Sequence, residues 1–319
     1  MSRNPKLEEF EIETKPTRSI RRGNVSNFFY DSNTGAFLGR TAESWCKIIL
    51  FYVIFYAVLG ALFMICMVTF KEQFINPRVP RLQQDRGLIG TSPGLGFRPL
   101  PPDVRSTLIW YKGTSYESYK YWEDELIKFL KVYKMKGQTA GAGQNIFNCG
   151  FRSPPPPGKV CDVDIRAWEP CIEENHFSFH KSSPCIFLKL NRIYGWRPEF
   201  YNDTTNLPRE MPHELQTHIK NITQYNRDYA NMVWVSCEGE TPADKENIGV
   251  VRYLPYAGFP GYFYPYTNAE GYLSPLVAVH LVRPKTGRVI NIECRAWAKN
   301  IKYDRREKLG TVHFEVMIE

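Results

Sequence analysis

The chain has 319 residues, 41 Lys and Arg against 33 Asp and Glu, a formal charge of +8, and 43% hydrophobic and 23% charged residues. Such averages exclude a disordered, collagen-like or low-complexity chain and a polytopic membrane protein, and the length permits one large domain or two smaller ones. They also conceal an uneven chain, because no Asp, Glu, Lys or Arg stands between Lys47 and Lys71.

Residues 1–47 carry eight basic and six acidic side chains and read as a short, solvated, disordered tail. The next 23 residues, Ile48 to Phe70, are uncharged. As a helix they reach about 34 Å, enough to cross a hydrocarbon core of about 30 Å. A core helix of a soluble protein rarely runs so far without a charge. The depth of the stretch in the chain, its length and the lack of a small-residue cleavage site all argue against a cleaved signal peptide. The expectation is a single transmembrane helix over 48–70.

Lys and Arg do not orient it, since the 30 residues on either side hold five each. The cysteines and sequons do. Cys46 and Cys66 sit at the ends of the span, whereas Cys149, Cys161, Cys171, Cys185, Cys237 and Cys294 all lie downstream. An even set on one side points to three disulfides and an oxidising compartment. The same side carries the glycosylation sequons at Asn202 and Asn221, while the sequon at Asn24 precedes the span and is expected to stay unmodified. The chain thus reads as a type II membrane protein, N-terminus cytosolic. No C-x2-C pair supports zinc. Six cysteines allow fifteen connectivities. The simplest joins neighbours, with Cys237–Cys294 as an inter-sheet bridge and Cys149–Cys161 around Pro154 to Pro157.

Residues 71–110, rich in Pro, Gly and Arg, read as a stalk, and 111–319 as a disulfide-braced ectodomain. Thr114 and Glu117 have capping-box spacing, Tyr119, Trp122, Leu126, Phe129 and Tyr133 recur at helical spacing, and Gly137 is a stop. This stripe is expected to pack on a sheet. Strand patterns follow at Cys185–Arg192, Met232–Cys237, Leu276–Val282, Val289–Ala296 and Thr311–Glu319. They place Ile290, Ile292, Cys294 and Ala296 on one face and Val312, Phe314, Val316 and Ile318 on another. No βαβ alternation appears, so a mainly antiparallel β sandwich with a flanking helix is expected.

Catalytic motifs are missing: there is no phosphate loop, nucleophile elbow or dinucleotide fingerprint. His213 and His218 are five apart, diverge by about 140° on a helix, and read as surface histidines of a loop. Asp162-Val163-Asp164 matches the D-x-D of glycosyltransferases, a two-residue signal against a strand-rich background. Exposed acids in a disulfide-closed loop are the preferred reading. The span is more informative. Tyr52 and Tyr56 are one turn apart, and Gly60 and Met64 continue the line. Tyr56 lies about 13 Å beyond Lys47, near mid-membrane, where its hydroxyl needs a partner and Gly60 admits a second backbone. A second membrane protein along this face is expected.

Several segments together are similar to the β subunits of sodium/potassium- and proton/potassium-transporting P-type ATPases. They are Tyr30-Asp31, Leu38-Gly39-Arg40-Thr41, Trp45, Phe51 to Tyr56, Pro184-Cys185, Lys189 to Arg192, Gly258-Phe259-Pro260, Tyr264-Pro265-Tyr266, Tyr272-Leu273, Pro275 to Val279 and Ile292 to Ala296. The resemblance runs from about residue 28 to the C-terminus. It implies a non-catalytic subunit at the plasma membrane that stabilises the catalytic α subunit, permits its delivery and modulates potassium affinity. It further implies an immunoglobulin-like sandwich, cysteines paired in sequential order, and contact with an α transmembrane helix through Tyr52, Tyr56 and Gly60. Tyr264, Pro265 and Tyr266 would lie near an extracellular α loop. Thr267-Asn268 stands where the family often has Tyr-Gly. Implied partners are the α subunit, a small single-span regulatory subunit and the lipid bilayer; no nucleic acid, cofactor or metal is implied. The sodium pump is the favoured branch. The alternatives are a proton/potassium pump β subunit and a single-pass cell-adhesion protein.

Overall fold

Two short strands, β1 (Tyr30–Asp31) and β2 (Ala36–Phe37), pair antiparallel ahead of one long helix, α1 (Ala42–Phe74, 33 residues). The computed structural model describes residues 30–31, 36–38, 40–135 and 145–319, in two units, Met1–Ile75 and Asn76–Glu319. Part of the segment expected to be a disordered tail is therefore a β pairing and the first turn of α1. The helix outruns the uncharged stretch at both ends. Glu43 and Lys47 pair one turn apart at 2.6 Å, and the Lys71 carbonyl accepts the Ile75 N–H at 3.3 Å. Charges close the helix without ending it at residues 48 and 70. Asn24 and Gly137 lie outside the described residues.

The second unit contains β3 (Leu95–Arg98), β4 (Leu108–Tyr111), α2 (Tyr116–Lys134), β5 (Ile146–Phe147), β6 (Val160–Cys161), β7 (Cys185–Leu190) and α3 (His213–Tyr225). There follow β8 (Met232–Gly239), α4 (Pro242–Asn247), β9 (Val250–Leu254), β10 (Gly258–Pro260), β11 (Leu276–Val282), β12 (Val289–Trp297) and β13 (Thr311–Ile318). One sheet has the order β10-β8-β12-β13-β4 and the other β3-β7-β11-β9. Within these two sheets only β13 and β4 pair in parallel. The alternation along β12 and β13 buries Ile290, Ile292, Cys294, Ala296, Phe314, Val316 and Ile318, while Val312 is half-buried. Both sheets contribute to one apolar core, and the Phe97 ring of β3 stacks on Phe314 of β13 at 5.0 Å between centroids. A second cluster sits outside the five-stranded sheet, where Leu215 and Ile219 of α3 cover Met232, Trp234 and Trp297.

Several expectations are corrected here. The region read as a stalk already holds β3 and β4, which pair with β7 and β13. Leu95 and Phe97 alternate too briefly, among Pro and Gly, to stand out. The Thr114–Glu117 capping box does not form. Ser115 is the N-cap, without a side-chain bond, and Ser118 Oγ accepts instead from Lys112 N–H at 2.9 Å, outside the helix. The α2 stripe buries Tyr119, Trp122, Leu126, Leu130 and Tyr133, whereas Phe129 is only partly covered. Its polar tips reach sheet and loop, Trp122 Nε1 donating to the Trp110 carbonyl at 3.0 Å and Tyr133 OH to Ser274 at 3.1 Å. His213 and His218 lie on α3, not in a loop, because Leu215, Ile219 and Ile222 give that segment a buried face.

Three disulfides close, Cys149–Cys161, Cys171–Cys185 and Cys237–Cys294. The last is not an inter-sheet bridge. Cys237 and Cys294 are directly opposed on β8 and β12 of one sheet, with Cα atoms 4.0 Å apart.

Asp244 pins the start of α4 to β12. Its carboxylate accepts from Thr241 Oγ1 at 2.7 Å, Thr241 N–H at 3.2 Å, Asn291 N–H at 3.2 Å and Asn291 Nδ2 at 3.3 Å. Burial opposes its charge, but these bonds prevail and hold the carboxyl below the usual carboxylate range. Asp244→Ala is expected to cost about 1–3 kcal/mol in urea denaturation near neutral pH, by stranding buried donors. Because the folded-state pKa is depressed, the charge-dependent stabilisation is fully present above the unfolded pKa of about 3.9. It is lost as pH falls through the lower folded value, so the gap between wild type and variant should narrow there.

Candidate partner-binding surfaces

α1 has no buried residue, and it is the one helix among the described residues long and apolar enough to cross a membrane. Its 3.6-residue period sets Tyr52 over Tyr56, whose rings stack at 6.0 Å and 23°. Phe51 and Phe55 make a second ladder at 6.2 Å beside them. Tyr52 and Tyr56 are 50% and 62% exposed, and a Cβ built on Gly60 would meet nothing within 4 Å. Aromatic rings on one side of a notch thus form a continuous ridge that no described residue outside the helix covers. Cys46 and Cys66 are free and exposed.

The Tyr264-Pro265-Tyr266 segment belongs to a polar-aromatic cluster in the sheet domain. The Tyr264 ring meets Trp196 edge-on at 5.4 Å, and Tyr266 packs on Tyr272 at 4.9 Å and near Tyr194 at 6.4 Å. Arg192 holds the group together. Its guanidinium carbon is 5.5 Å from the Tyr266 and Tyr272 ring centroids, and its Nε donates to Ser274 Oγ at 2.9 Å. Burial pushes the Tyr272 phenol up to about 12 against the pull of Arg192, and pushes the Tyr264 phenol well above its ordinary range. These phenols stay neutral at any physiological pH. Trp196 was not singled out from the sequence. Its signal was the aromatic density of Tyr194-Gly195-Trp196, which is weak because such runs are common in cores.

Asn268 accounts for the Thr-Asn variation in this segment. Its φ is +54°, a left-handed conformation that Gly adopts freely and Asn tolerates best among other residues. Its Oδ1 accepts the Tyr266 hydroxyl at 2.7 Å, and its Nδ2 donates to the Arg78 carbonyl at 3.3 Å. Asn268→Val should cost about 1–2 kcal/mol through the left-handed backbone, whereas Asn268→Gly keeps the turn. Amide exchange across residues 264–272 reads the difference.

The two downstream sequons are both accessible. Asn202 is exposed outside regular structure, before a turn in which Asp203 Oδ1 accepts from Thr205 N–H at 2.9 Å. Asn221 is exposed on α3. The D-x-D pair offers little to a metal, since Asp164 is forked onto Arg166 at 2.8 and 2.9 Å. Among the described residues no three His, Cys, Asp or Glu side chains converge as a metal site.

A family model described as the sodium / potassium ATPase beta chain matches residues 15–314. The chain belongs to the sodium/potassium ATPase beta chain family. It is 58% identical to the Drosophila melanogaster sodium/potassium-transporting ATPase subunit beta-2 over 308 residues, 96% of this chain and 95% of that one. It is 39% identical to the fly subunit beta-1, covering 98% and 96% of the two chains, and 32% identical to a probable subunit beta-3 of Caenorhabditis briggsae, covering 92% and 86%. A single apolar helix followed by a mostly sheet domain fits a single-pass β subunit of the sodium/potassium pump. The family match thus spans both the α1 ridge and the Arg192 cluster.

Proposed function

We propose that this chain is the non-catalytic partner of a sodium/potassium-transporting P-type ATPase catalytic subunit, which it stabilises, accompanies to the plasma membrane and tunes in potassium affinity. The observation that carries the reading is the α1 ridge of Tyr52, Tyr56 and Gly60, polar tips and a notch on a helix that buries no side chain against the other described residues. In hydrocarbon a hydroxyl without a partner costs several kcal/mol, which a neighbouring transmembrane helix removes. On this reading 1–47 is cytosolic, 48–70 spans the bilayer, a stalk follows, and the immunoglobulin-like ectodomain sits outside as type II topology requires. Tyr264, Pro265 and Tyr266, braced by Arg192, lie toward an extracellular loop of the catalytic subunit, and a small single-span subunit completes the assembly. No carboxylate stands between Lys47 and Lys71, so the ion path belongs to the partner.

Coexpression tests this directly. With the chain present, the catalytic subunit should reach the cell surface with potassium-dependent ATP hydrolysis; equal surface delivery without any β subunit would sink the reading. Topology has its own check. Glycosidase treatment should lower the apparent mass in two steps, one lost in Asn202→Gln and the other in Asn221→Gln, with Asn24→Gln silent.

A further inference from the structure

Along one flank of the sheet domain a strand edge that no described strand fills faces a groove. β9 is the last strand of its sheet, and on the other sheet β10 pairs only with Met232–Trp234 of β8. The remainder of β8 runs beside the groove with one bond from Val235 N–H to the Ala257 carbonyl at 2.9 Å and one from Cys237 N–H to the Tyr253 hydroxyl at 2.7 Å. With α3 as its outer wall the groove has a volume of about 710 Å³ and an apolar lining that includes Leu215, Ile222, Ile248, Val251 and Leu254.

Backbone accounting shows what the edge offers. Leu281 N–H donates to the Pro184 carbonyl at 3.1 Å, so the odd-numbered residues of β11 turn their backbone groups toward β7 and the even-numbered ones toward β9. Opposite those even positions stand Val250, Arg252 and Leu254, whose bonds are therefore made within the sheet. The N–H and C=O of Val251 and Tyr253 point outward along the groove. Four backbone groups at strand spacing, beside an apolar trough, form a template for one more strand.

Charge narrows the occupant. Arg252 is exposed on the edge and belongs to none of the described ion pairs, whereas Lys245 nearby is engaged by Glu238 at 3.1 Å. Glu214 stands on the α3 wall and disfavours a second acid on that side. A second copy of this chain fits poorly. The one two-fold register that uses both Val251 and Tyr253 on each copy sets Arg252 opposite Arg252, a destabilising like-charge pair. We propose that the groove receives an extended segment of a different protein as an added strand on β9, with apolar residues beside Val251 and Tyr253 and a carboxylate beside Arg252.

The test uses the full chain in detergent micelles and fluorescein-labelled acetyl-Thr-Val-Glu-Val-Thr-amide, followed by fluorescence anisotropy. Saturable binding is expected. N-methylating the two peptide amides that donate to the Val251 and Tyr253 carbonyls should weaken it at least tenfold, at about 1 kcal/mol or more per lost bond. Arg252→Glu should weaken it up to about fivefold, the range of an exposed ion pair, and a Lys in place of the peptide Glu should restore it. The charge swap guards against a variant that misfolds, because only an intact site recovers. No saturable binding, or binding indifferent to both N-methylation and the charge swap, overturns the proposal. So does concentration-dependent self-association of the chain that blocks the peptide, which would seat a second copy in the groove.

Discussion

Replacing Cys237 and Cys294 together by alanine is expected to cost the sheet domain about 4 kcal/mol. The two residues are 57 apart in sequence and directly opposed on β8 and β12. Releasing that cross-link restores loop-closure entropy to the unfolded chain of about 14 cal/mol/K, or about 4 kcal/mol at 25 °C. The folded sheet changes little, because β8 also pairs with β12 through Ile292, Glu293, Arg295, Ala296 and Trp297. The loss should therefore appear as a lower urea midpoint with native fluorescence retained below it. By the same relation Cys149–Cys161 and Cys171–Cys185, at separations of 12 and 14, should each contribute about 3 kcal/mol. A smaller effect at Cys237–Cys294 than at either short bridge would contradict this entropic account.

Tyr52→Leu and Tyr56→Leu together should weaken assembly with the catalytic subunit without disturbing insertion. Leucine keeps the helix apolar and is a strong helix former, so α1 still spans. What is removed is two hydroxyls and the stacked ladder they cap. Hydrogen bonds between membrane helices average about 0.6 kcal/mol, so two amount to about 1.2 kcal/mol, roughly sevenfold in the association constant. Packing lost with the rings adds to that. Tyr52→Phe with Tyr56→Phe isolates the hydroxyl share, and Gly60→Leu, which fills the notch, should match or exceed the leucine pair. Detergent titration of the tagged complex measures all three; unchanged stability in every variant would remove the ridge from the interface.

How much of this was legible in the sequence depends on the length of each signal. The uncharged run from Ile48 to Phe70 announces α1 because nothing else in a polar chain excludes charge for so long. β11, β12 and β13 are 7 to 9 residues long, β11 apolar except for His280 and the other two alternating, so they were readable. β3, β4, β9 and β10 are 3 to 5 residues long, too short for a periodic pattern to show, and all but β4 abut a Pro or Gly. No local pattern encodes the parallel pairing of β4 with β13, which joins chain segments about two hundred residues apart. The expected capping box does not form because the helix begins at Tyr116 with Ser115, not Thr114, as its N-cap, a one-residue offset that spacing alone cannot reveal. Of the candidate surfaces, the Tyr52–Tyr56–Gly60 line could be drawn from helical period alone. The Arg192 cluster could not, since Arg192, Trp196, Tyr264 and Tyr272 meet only after β7 and β11 pair.

On the function proposed above, this β chain works as the bound partner of a multispan ion-pumping ATPase. Its most direct test is affinity purification of the tagged full-length chain from native membranes in mild detergent, with subunit stoichiometry read by quantitative mass spectrometry. A sodium/potassium-transporting ATPase catalytic subunit should be recovered with it in equimolar amount. Recovery of the chain alone, from membranes that contain that subunit, would contradict it.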